Sequence, residues 1–411
     1  MRRPVPATGT AEGHSGGARP SARRLPRPVL TLLWALMATA LLGWPYLMLA
    51  PNRLVSGQGL ALAALVSGGQ WFLLGPISLL LGLCIWPEKG GPDGARPLLR
   101  DGLAALGAGL LLVGLLATAG QEARLQSEQG SALMRVSLGG GFWAAALLAW
   151  AMVADALRRL PLGAGWRAAA QAGLLLPLAV LLALGQLDAL SLMKEYANRQ
   201  DVFHAALGRH GQIVVAALLP TLLIGLPLGL AAARRPALAR PLLAALNLVQ
   251  TVPSIALFGL LIAPLAALGA AWPASGVQGI GLLPAVIALT LYALLPVVHG
   301  LASGLQQVDR AVIDAATGIG LSASQRFWQV ELPLALPPLW SALRLTTVQL
   351  IGLAVVAALI GAGGLGAIIF QGLLSSALDL VLLGVLPVVA LALAVDAGFG
   401  LVALALARRP A

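Results

Sequence analysis

Long apolar runs constrain this chain more than any other feature of its sequence. Of its 411 residues, 59% are hydrophobic and only 10% are charged, whereas soluble globular proteins carry about 25% charged residues. A run of about 20 apolar residues is long enough to cross a bilayer as a helix. We therefore predict an all-α, polytopic membrane protein with about ten transmembrane helices. The predicted spans are residues 29–50, 60–86, 101–119, 139–157, 169–187, 211–233, 241–263, 281–303, 337–360 and 380–406.

The basic residues predict the orientation of these spans. If the N-terminus lies in the cytoplasm and the spans alternate, 19 Lys and Arg residues fall on the cytoplasmic side and 6 on the outer side. Cytoplasmic loops of membrane proteins carry an excess of Lys and Arg. We expect a multi-pass protein of the cytoplasmic (inner) membrane, embedded in the lipid bilayer, with both termini in the cytoplasm. Because these loops account for the net charge of +11, we predict no nucleic-acid partner.

Composition divides the chain into three regions. Residues 1–28 are rich in Gly, Pro, Ser and Arg, which predicts a disordered basic cytoplasmic tail. Residues 29–190 form an N-terminal five-helix membrane region, to which we assign no role. A polar outer loop at about 188–210 separates it from a second membrane domain at 205–406. Within that domain Gly361–Gly366 interrupts the helical pattern, which predicts a short half-span or surface helix after it.

The predicted cytoplasmic segment 304–336 is polar in a chain that is otherwise apolar, so we expect it to contact another protein. Its first half predicts a helix over Asp309–Ile319, which ends at Gly318 and Gly320 because glycine accepts a positive φ.

The second half of that segment predicts a second, short amphipathic helix. Ser322 followed by Gln325 is a capping-box pattern that starts a helix, and we expect Pro333 to end it. Phe327 and Trp328 on this helix would offer an aromatic knob to a groove on a partner.

The spacing within this segment resembles the EAA loop of ABC importer permeases. The matching residues are Asp314-Ala-Ala, Gly320 and Val330-x-Leu332-Pro333, where the family usually has Glu in place of Asp314 and Ile in place of Val330. Gln250-Thr-Val-Pro-Ser254 and Ile360-Gly-Ala-Gly-Gly-Leu-Gly366 are similar to the osmoprotectant (glycine betaine/choline) branch. The resemblance covers about residues 205–405, and the N-terminal half looks like the extension of the longer permeases of that branch.

This resemblance implies an ABC type-1 importer permease fold for the five C-terminal helices. It also implies a pathway formed with a second permease subunit, in a homodimer or heterodimer, a cytoplasmic ABC ATPase that supplies the energy, and an extracytoplasmic solute-binding protein. The residues expected to couple to the ATPase are Asp314, Ala315, Ala316, Gly320, Phe327, Val330, Leu332 and Pro333. The residues expected to line the translocation pathway are Thr251, Pro253, Ser254, Gly363, Gly364 and Gly366, although a simple proline kink would also explain the first three.

The resemblance favours ATP-driven import of glycine betaine or choline. A permease for another small solute, of the methionine or phosphonate type, and an ion-coupled secondary transporter are the alternatives. A phosphate-binding GxxxxGK[ST] loop needs a lysine, and neither Lys89 nor Lys194 lies in that pattern. We therefore predict a non-catalytic membrane subunit without cofactors, whose ATP is hydrolysed by a partner. The single cysteine, Cys84, excludes a CxxC metal site, and we predict no metal.

Four ionisable residues fall within predicted spans, where such residues are functional candidates. We expect Arg344 and Asp155 to lie near the cytoplasmic ends of their spans in structural roles. Asp396 is interpreted as one partner of a structural pair or cap, with a proton relay as the alternative, and His299 as a packing residue.

Overall fold

The computed structural model describes residues 28–52, 55, 57–67, 71–85, 95–129 and 133–407. Residues 1–27 of the predicted tail lie outside this part. The described residues are mainly helical, which confirms the predicted fold class. The helices are α1 Pro28–Gly43, α2 Leu62–Ser67, α3 Leu74–Ile85, α4 Ala95–Gln129, α5 Gly140–Arg159, α6 Ala164–Gly173, α7 Leu175–Ala183, α8 Ser191–Ala197, α9 Gln200–Arg234, α10 Pro236–Thr251, α11 Ser254–Ala271, α12 Leu282–Gln306, α13 Arg310–Gly318, α14 Ala323–Arg326, α15 Leu332–Val356, α16 Leu365–Leu374 and α17 Leu378–Ala407.

Within the described residues, eight helical stretches are long and apolar enough to cross a membrane, and three shorter apolar helices accompany them. The difference from ten lies in the first two predicted spans. The run 29–50 ends as a helix at Gly43, and the run 60–86 contains the separate helices α2 and α3. The predicted span 241–263 is also divided, because the chain leaves the helical conformation at Val252 and Pro253.

A small antiparallel sheet, absent from our prediction, replaces the end of the first span. Its strands are β1 Leu47–Ala50, β2 Gln58–Leu60 and β3 Arg135–Leu138, in the order β2-β1-β3. Pro45 disfavours helical backbone at the residue before it, so the chain turns into β1. Tyr46 is fully buried there, and its hydroxyl hydrogen-bonds the backbone oxygen of Leu115 and lies 2.8 Å from Thr118 Oγ1.

Two large hydrophobic clusters form the interior. One contains buried residues between Leu30 and Leu190, and the other contains buried residues between Ile213 and Val388. Helix α12 lies at the centre of the second half and packs against both α9 and α15.

Glycines allow this close packing of α12. A Cβ at Gly229 would lie 3.0 Å from the Val298 oxygen, and one at Gly300 would lie 2.3 Å from Ala342 Cβ. Small residues at helix contacts let backbones approach closely in membranes, where van der Waals packing drives association.

Polar contacts on one side of the molecule join the N-terminal sheet to the second half of the chain. Ser137 on β3 donates a 2.6 Å hydrogen bond to Asp379 in the first turn of α17. Arg135 on the same strand lies 3.6 Å from the buried carboxylate of Glu195 on α8, and Arg199 approaches that carboxylate at the same distance. These polar contacts therefore attach the N-terminal sheet to the first turn of α17 and to α8.

Candidate functional site

The segment between α12 and α15 is built from local sequence signals. Asp309 caps α13 by accepting a 2.9 Å hydrogen bond from the Ala311 N–H. Gly320 follows with φ +88°, and its N–H donates to the Thr317 oxygen at 3.0 Å. Ser322 and Gln325 then form the predicted capping box, with each side chain accepting from the backbone N–H of the other. These features agree with the helix, turn and second helix that the sequence predicts.

The second helix does not end at Pro333, which corrects our expectation. After α14 the chain forms a π-helical turn at Phe327–Glu331, and α15 continues directly from Leu332. Pro333 lies inside this continuous helical stretch, Ala323–Ile360, and its missing N–H removes one backbone hydrogen bond there. In the π-helical turn the Leu332 N–H bonds to the Phe327 oxygen, five residues back. The segment is thus continuous with a transmembrane helix.

A buried carboxylate, Glu331, holds this segment in place. Only 3% of its surface is exposed, and it receives hydrogen bonds from two arginines. Arg234 at the end of α9 donates to Oε2, and Arg326 Nε donates to Oε1 at 3.0 Å. Arg326 also donates to the Thr317 hydroxyl on α13 at 3.1 Å. The three elements α9, α13 and α15 therefore meet at one charge cluster, which our sequence analysis missed because its members are far apart in the chain.

The aromatic residues of the segment lie beside this cluster. Arg234 lies over the ring of Phe327 at 5.8 Å, within the range of a cation–π contact. Phe327 is half-buried and meets Trp328 edge-on at 5.2 Å, whereas Trp328 is 64% exposed. Trp328 is therefore the exposed aromatic side chain of the segment, and the half-buried ring of Phe327 packs against it.

The predicted coupling residues differ in accessibility. Asp314, Ala315, Gly320 and Pro333 are exposed, Val330 and Leu332 are half-buried like Phe327, and Ala316 is buried. Ala316 therefore faces the interior of this chain, while its neighbour Ala315 is open to a partner. The segment therefore presents exposed side chains, and hydrogen bonds from Arg234 and Arg326 hold it against the rest of the chain.

The first group of predicted pathway residues lies where α10 ends and α11 begins. Thr251 and Pro253 are exposed and Ser254 is half-buried. The break is attached to α12, because the Tyr292 hydroxyl donates to the Val252 oxygen and Gln250 Nε2 donates to the Tyr292 oxygen at 2.9 Å. Tyr292 is a second residue that the sequence did not single out.

A cleft of about 370 Å³ lies between α10 and α12 near this break. Asn247 and His299 are exposed and contribute polar groups to its lining. His299 therefore lines an open cleft instead of packing inside the protein, which corrects our expectation for this residue.

The second group of predicted pathway residues forms a tight turn before α16. Gly361, Gly363 and Gly364 all have positive φ, and α16 begins at Leu365, in agreement with the short helix predicted after this turn. Arg209 Nε on α9 donates to the Ala362 oxygen at 3.0 Å.

Gly366 lies inside α16, where a Cβ would lie 2.0 Å from the Val355 oxygen. The turn is packed against α9 and α15, while the first group is attached to α12.

No cluster of three His, Cys, Asp or Glu side chains that could hold a metal ion is found in the part of the chain that the structure describes.

Comparison with known proteins agrees with this architecture. Residues 225–408 match the family described as the binding-protein-dependent transport system inner membrane component. The osmoprotectant import permease protein OsmW of Salmonella typhimurium is 39% identical over 188 residues, which cover 46% of this chain and 84% of OsmW. The chain belongs to the osmoprotectant family of ABC importer permeases.

Other similarities extend over both halves of this permease. Residues 24–193 match the family described as the N-terminal domain of the ABC transporter permease YehY. The glycine betaine/carnitine/choline transport system permease protein OpuCB of Bacillus subtilis is 33% identical over 189 residues, covering 46% of this chain and 81% of OpuCB. A chain of the MetNI methionine ABC transporter, solved in inward-facing conformations, is 24% identical, with a TM-score of 0.44 over 50% of this chain and 96% of that chain.

Membership of this family gives the permease its general setting. It is a multi-pass inner-membrane subunit of an ABC importer, a class that works with an ATPase and a binding protein. The segment Asp314–Pro333, first noted for its EAA-like spacing, is thus a candidate ATPase contact.

Proposed function

We propose that this permease forms the translocation pathway of an ATP-driven importer for glycine betaine, choline or a similar osmoprotectant. The relatives OsmW and OpuCB, named for osmoprotectants and for glycine betaine, carnitine and choline, support this class of solute. We further propose that two permease subunits, two cytoplasmic ATPases and an extracytoplasmic binding protein make up the complex. The chain itself carries no catalytic role, and both termini lie in the cytoplasm.

We name Asp314–Pro333 the coupling segment, and the contact of its Glu331 with Arg234 is the observation that carries the mechanism. We propose that the ATPase contacts α13, Gly320 and Trp328, on the exposed surface of the segment. Because Glu331 binds Arg234 and lies directly before α15, a push on this surface would move α9 and α15 together. Closure of the ATPase dimer would thereby change the packing of the membrane helices.

The division of the chain is part of the same proposal. We assign ATPase coupling and transport to a permease domain at 205–406, with a separate N-terminal membrane region at 29–190 after the tail at 1–28. The two family matches, to residues 24–193 and 225–408, support this division. Helix α9 begins at Gln200, slightly before the proposed boundary.

Reconstitution of the permease with its ATPase and its binding protein in liposomes tests the proposal. We expect ATP-dependent accumulation of labelled glycine betaine or choline, and none without ATP. Accumulation of only methionine or a phosphonate would contradict the solute class and keep the ABC mechanism. Accumulation driven by an ion gradient without ATP would contradict the mechanism itself.

A further inference from the structure

A bidentate ion pair joins α15 and α17 within the membrane domain. Arg344 donates through Nε and Nη2 to the two carboxylate oxygens of Asp396, with Nη2 lying 2.7 Å from Oδ2. Arg344 is midway between Leu332 and Val356, the two ends of α15. It therefore lies at the centre of α15.

The pair is accessible on the surface of the single chain. The side chains of Arg344 and Asp396 are 46% and 40% exposed. Charged side chains within membrane helices face other protein or a water-filled cavity, because contact with lipid tails is costly. We therefore expect the seam between α15 and α17 at this level to face the pathway that the permease forms with its second subunit.

An aromatic pair lies one turn along the same seam, toward the coupling segment. The rings of Trp340 and Phe399 have centroids 4.8 Å apart, and the Trp340 indole N–H donates to the Phe399 oxygen at 3.0 Å. Trp340 precedes Arg344 by four residues and Phe399 follows Asp396 by three, so both aromatic residues share a helix face with the ion pair. Four residues rise about 6 Å along a helix.

The surface of α17 at the two positions next to Phe399 is not covered by other described parts of the chain. A Cβ added at Gly398 or Gly400, on either side of Phe399, would meet no atom within 4 Å. Both rings are half-buried and keep part of their surface accessible.

We propose that this seam is a pathway subsite for a zwitterion that carries a carboxylate and a quaternary ammonium group. This inference rests on the proposed function and adds the residues that recognise the solute. Arg344 binds the carboxylate of the solute in place of Asp396, using the same bidentate geometry. The freed Asp396 carboxylate and the faces of Trp340 and Phe399 bind the ammonium group, since aromatic faces attract quaternary ammonium ions.

The exchange needs no net charge in the membrane. The empty subsite holds one cation and one anion that neutralise each other, and the entering zwitterion is also neutral. When the solute leaves, Arg344 and Asp396 pair again, so neither remains an unpaired charge within the membrane domain.

Transport by charge variants distinguishes this subsite from a purely structural ion pair. We expect Arg344→Gln to lower ATP-dependent glycine betaine uptake at least about tenfold, because a charge-assisted contact to the carboxylate is lost. Uptake of choline, which has no carboxylate, should fall much less in the same liposomes. The matched control is Arg159→Gln, which breaks the exposed Arg159–Asp155 pair on α5 and should leave both rates unchanged.

The charge-swapped variant Arg344→Asp with Asp396→Arg provides the second test and needs only one transported solute. It can restore the ion pair, but it exchanges the positions of the positive and the negative charge, so a bound zwitterion would meet a like charge at each end. We expect the swapped permease to co-purify with its ATPase and to transport glycine betaine poorly.

Wild-type-like glycine betaine uptake by the swapped permease would overturn the subsite, as would an equal fall for both solutes in Arg344→Gln. If the swapped protein does not assemble, the single Arg344→Gln variant decides through the ratio of glycine betaine to choline uptake. If the wild-type complex accumulates glycine betaine alone, the subsite predicts that Arg344→Lys, which keeps the charge without the fork, raises the glycine betaine concentration that half-saturates uptake while the ATPase still co-purifies. An unchanged half-saturating concentration overturns the subsite. Transport of choline but of no such zwitterion by the wild-type complex would overturn the subsite and leave the proposed solute class standing, whereas failure to transport either solute would refute that class.

Discussion

Arg234, the last residue of α9, donates a hydrogen bond to Glu331, the residue directly before α15, across 97 positions of sequence. This contact links two helices that both pack against α12. Because Glu331 is buried and also binds Arg326, the exposed surface of the coupling segment is connected to the membrane helices by charge-assisted hydrogen bonds. A force applied to Trp328 or α13 would therefore reach α9 and α15 through a stiff connection.

Replacing Glu331 by Gln should uncouple ATP hydrolysis from transport. The amide keeps the size of the side chain but loses two charge-assisted hydrogen bonds, each worth roughly 1.5–3 kcal/mol. We expect solute uptake per ATP hydrolysed in proteoliposomes to fall about tenfold, while the ATPase remains bound. Gln329→Ala, at an exposed position on the same turn, is the control and should retain wild-type coupling. Unchanged coupling in Glu331→Gln would mean that the charge cluster is only structural.

Replacing Gly320 by Val should distort the turn between α13 and α14. Gly320 has φ +88°, and a Cβ there would meet no neighbouring atom, so the cost is one of backbone conformation alone. That cost is about 1–2 kcal/mol for an ordinary L-residue, and β-branching adds stiffness. We expect transport to fall several-fold with normal membrane insertion.

Gly320→Asn and Gly318→Ala are the matched variants for this turn. Asn tolerates left-handed backbone, so Gly320→Asn should retain more transport than Gly320→Val. Gly318 lies in α13 with open space around it, and Gly318→Ala should be neutral. Equal transport by Gly320→Val and wild type would rule out a role for the turn.

Single cysteines test the predicted orientation. Asn198 and Ser324 are both exposed, the first between α8 and α9 and the second on α14. In a Cys84→Ala background we expect a membrane-impermeant thiol reagent to label Asn198→Cys from outside intact cells and Ser324→Cys only after permeabilisation. Labelling of both positions from the outside would contradict the orientation derived from the basic residues.

A double-mutant cycle tests whether the N-terminal sheet is fastened to the permease domain. Ser137→Ala and Asp379→Ala each remove the same 2.6 Å hydrogen bond. We expect each single variant to lower stability by about 1–3 kcal/mol and the double variant to cost clearly less than the sum. Thermal unfolding of the purified protein in detergent provides the measurement, with Ser324→Ala as the neutral control. Strict additivity would show that the two residues are energetically independent.

Local signals in the coupling segment were readable from the sequence because their partners are neighbours in the chain. The capping box joins residues three apart, and the positive φ of Gly320 reflects a preference of glycine itself. The turn Gly361–Gly366 was predicted for the same reason. The continuation of the helix through Pro333 was not, because it depends on a π-helical turn whose hydrogen bonds do not follow the usual helical spacing.

Contacts between distant residues were not readable in this way. Asp396 was expected to have a charged partner or a cap, but its partner, Arg344, lies 52 positions away on another helix. Glu331 occupies an unspecified position of the EAA-like pattern, so nothing local marked it. The end of α1 and the strand after it also depended on pairing with a strand about 90 residues later.

The sequence by itself determined that this chain spans a membrane many times and carries a polar segment between two membrane helices, because apolar length and local backbone preferences are properties of short stretches. Only the tertiary structure decided which charges meet within the membrane domain. A buried or membrane-embedded charge is stable only beside its partner, and the packing of α9, α12, α15 and α17 places Arg234 against Glu331 and Arg344 against Asp396.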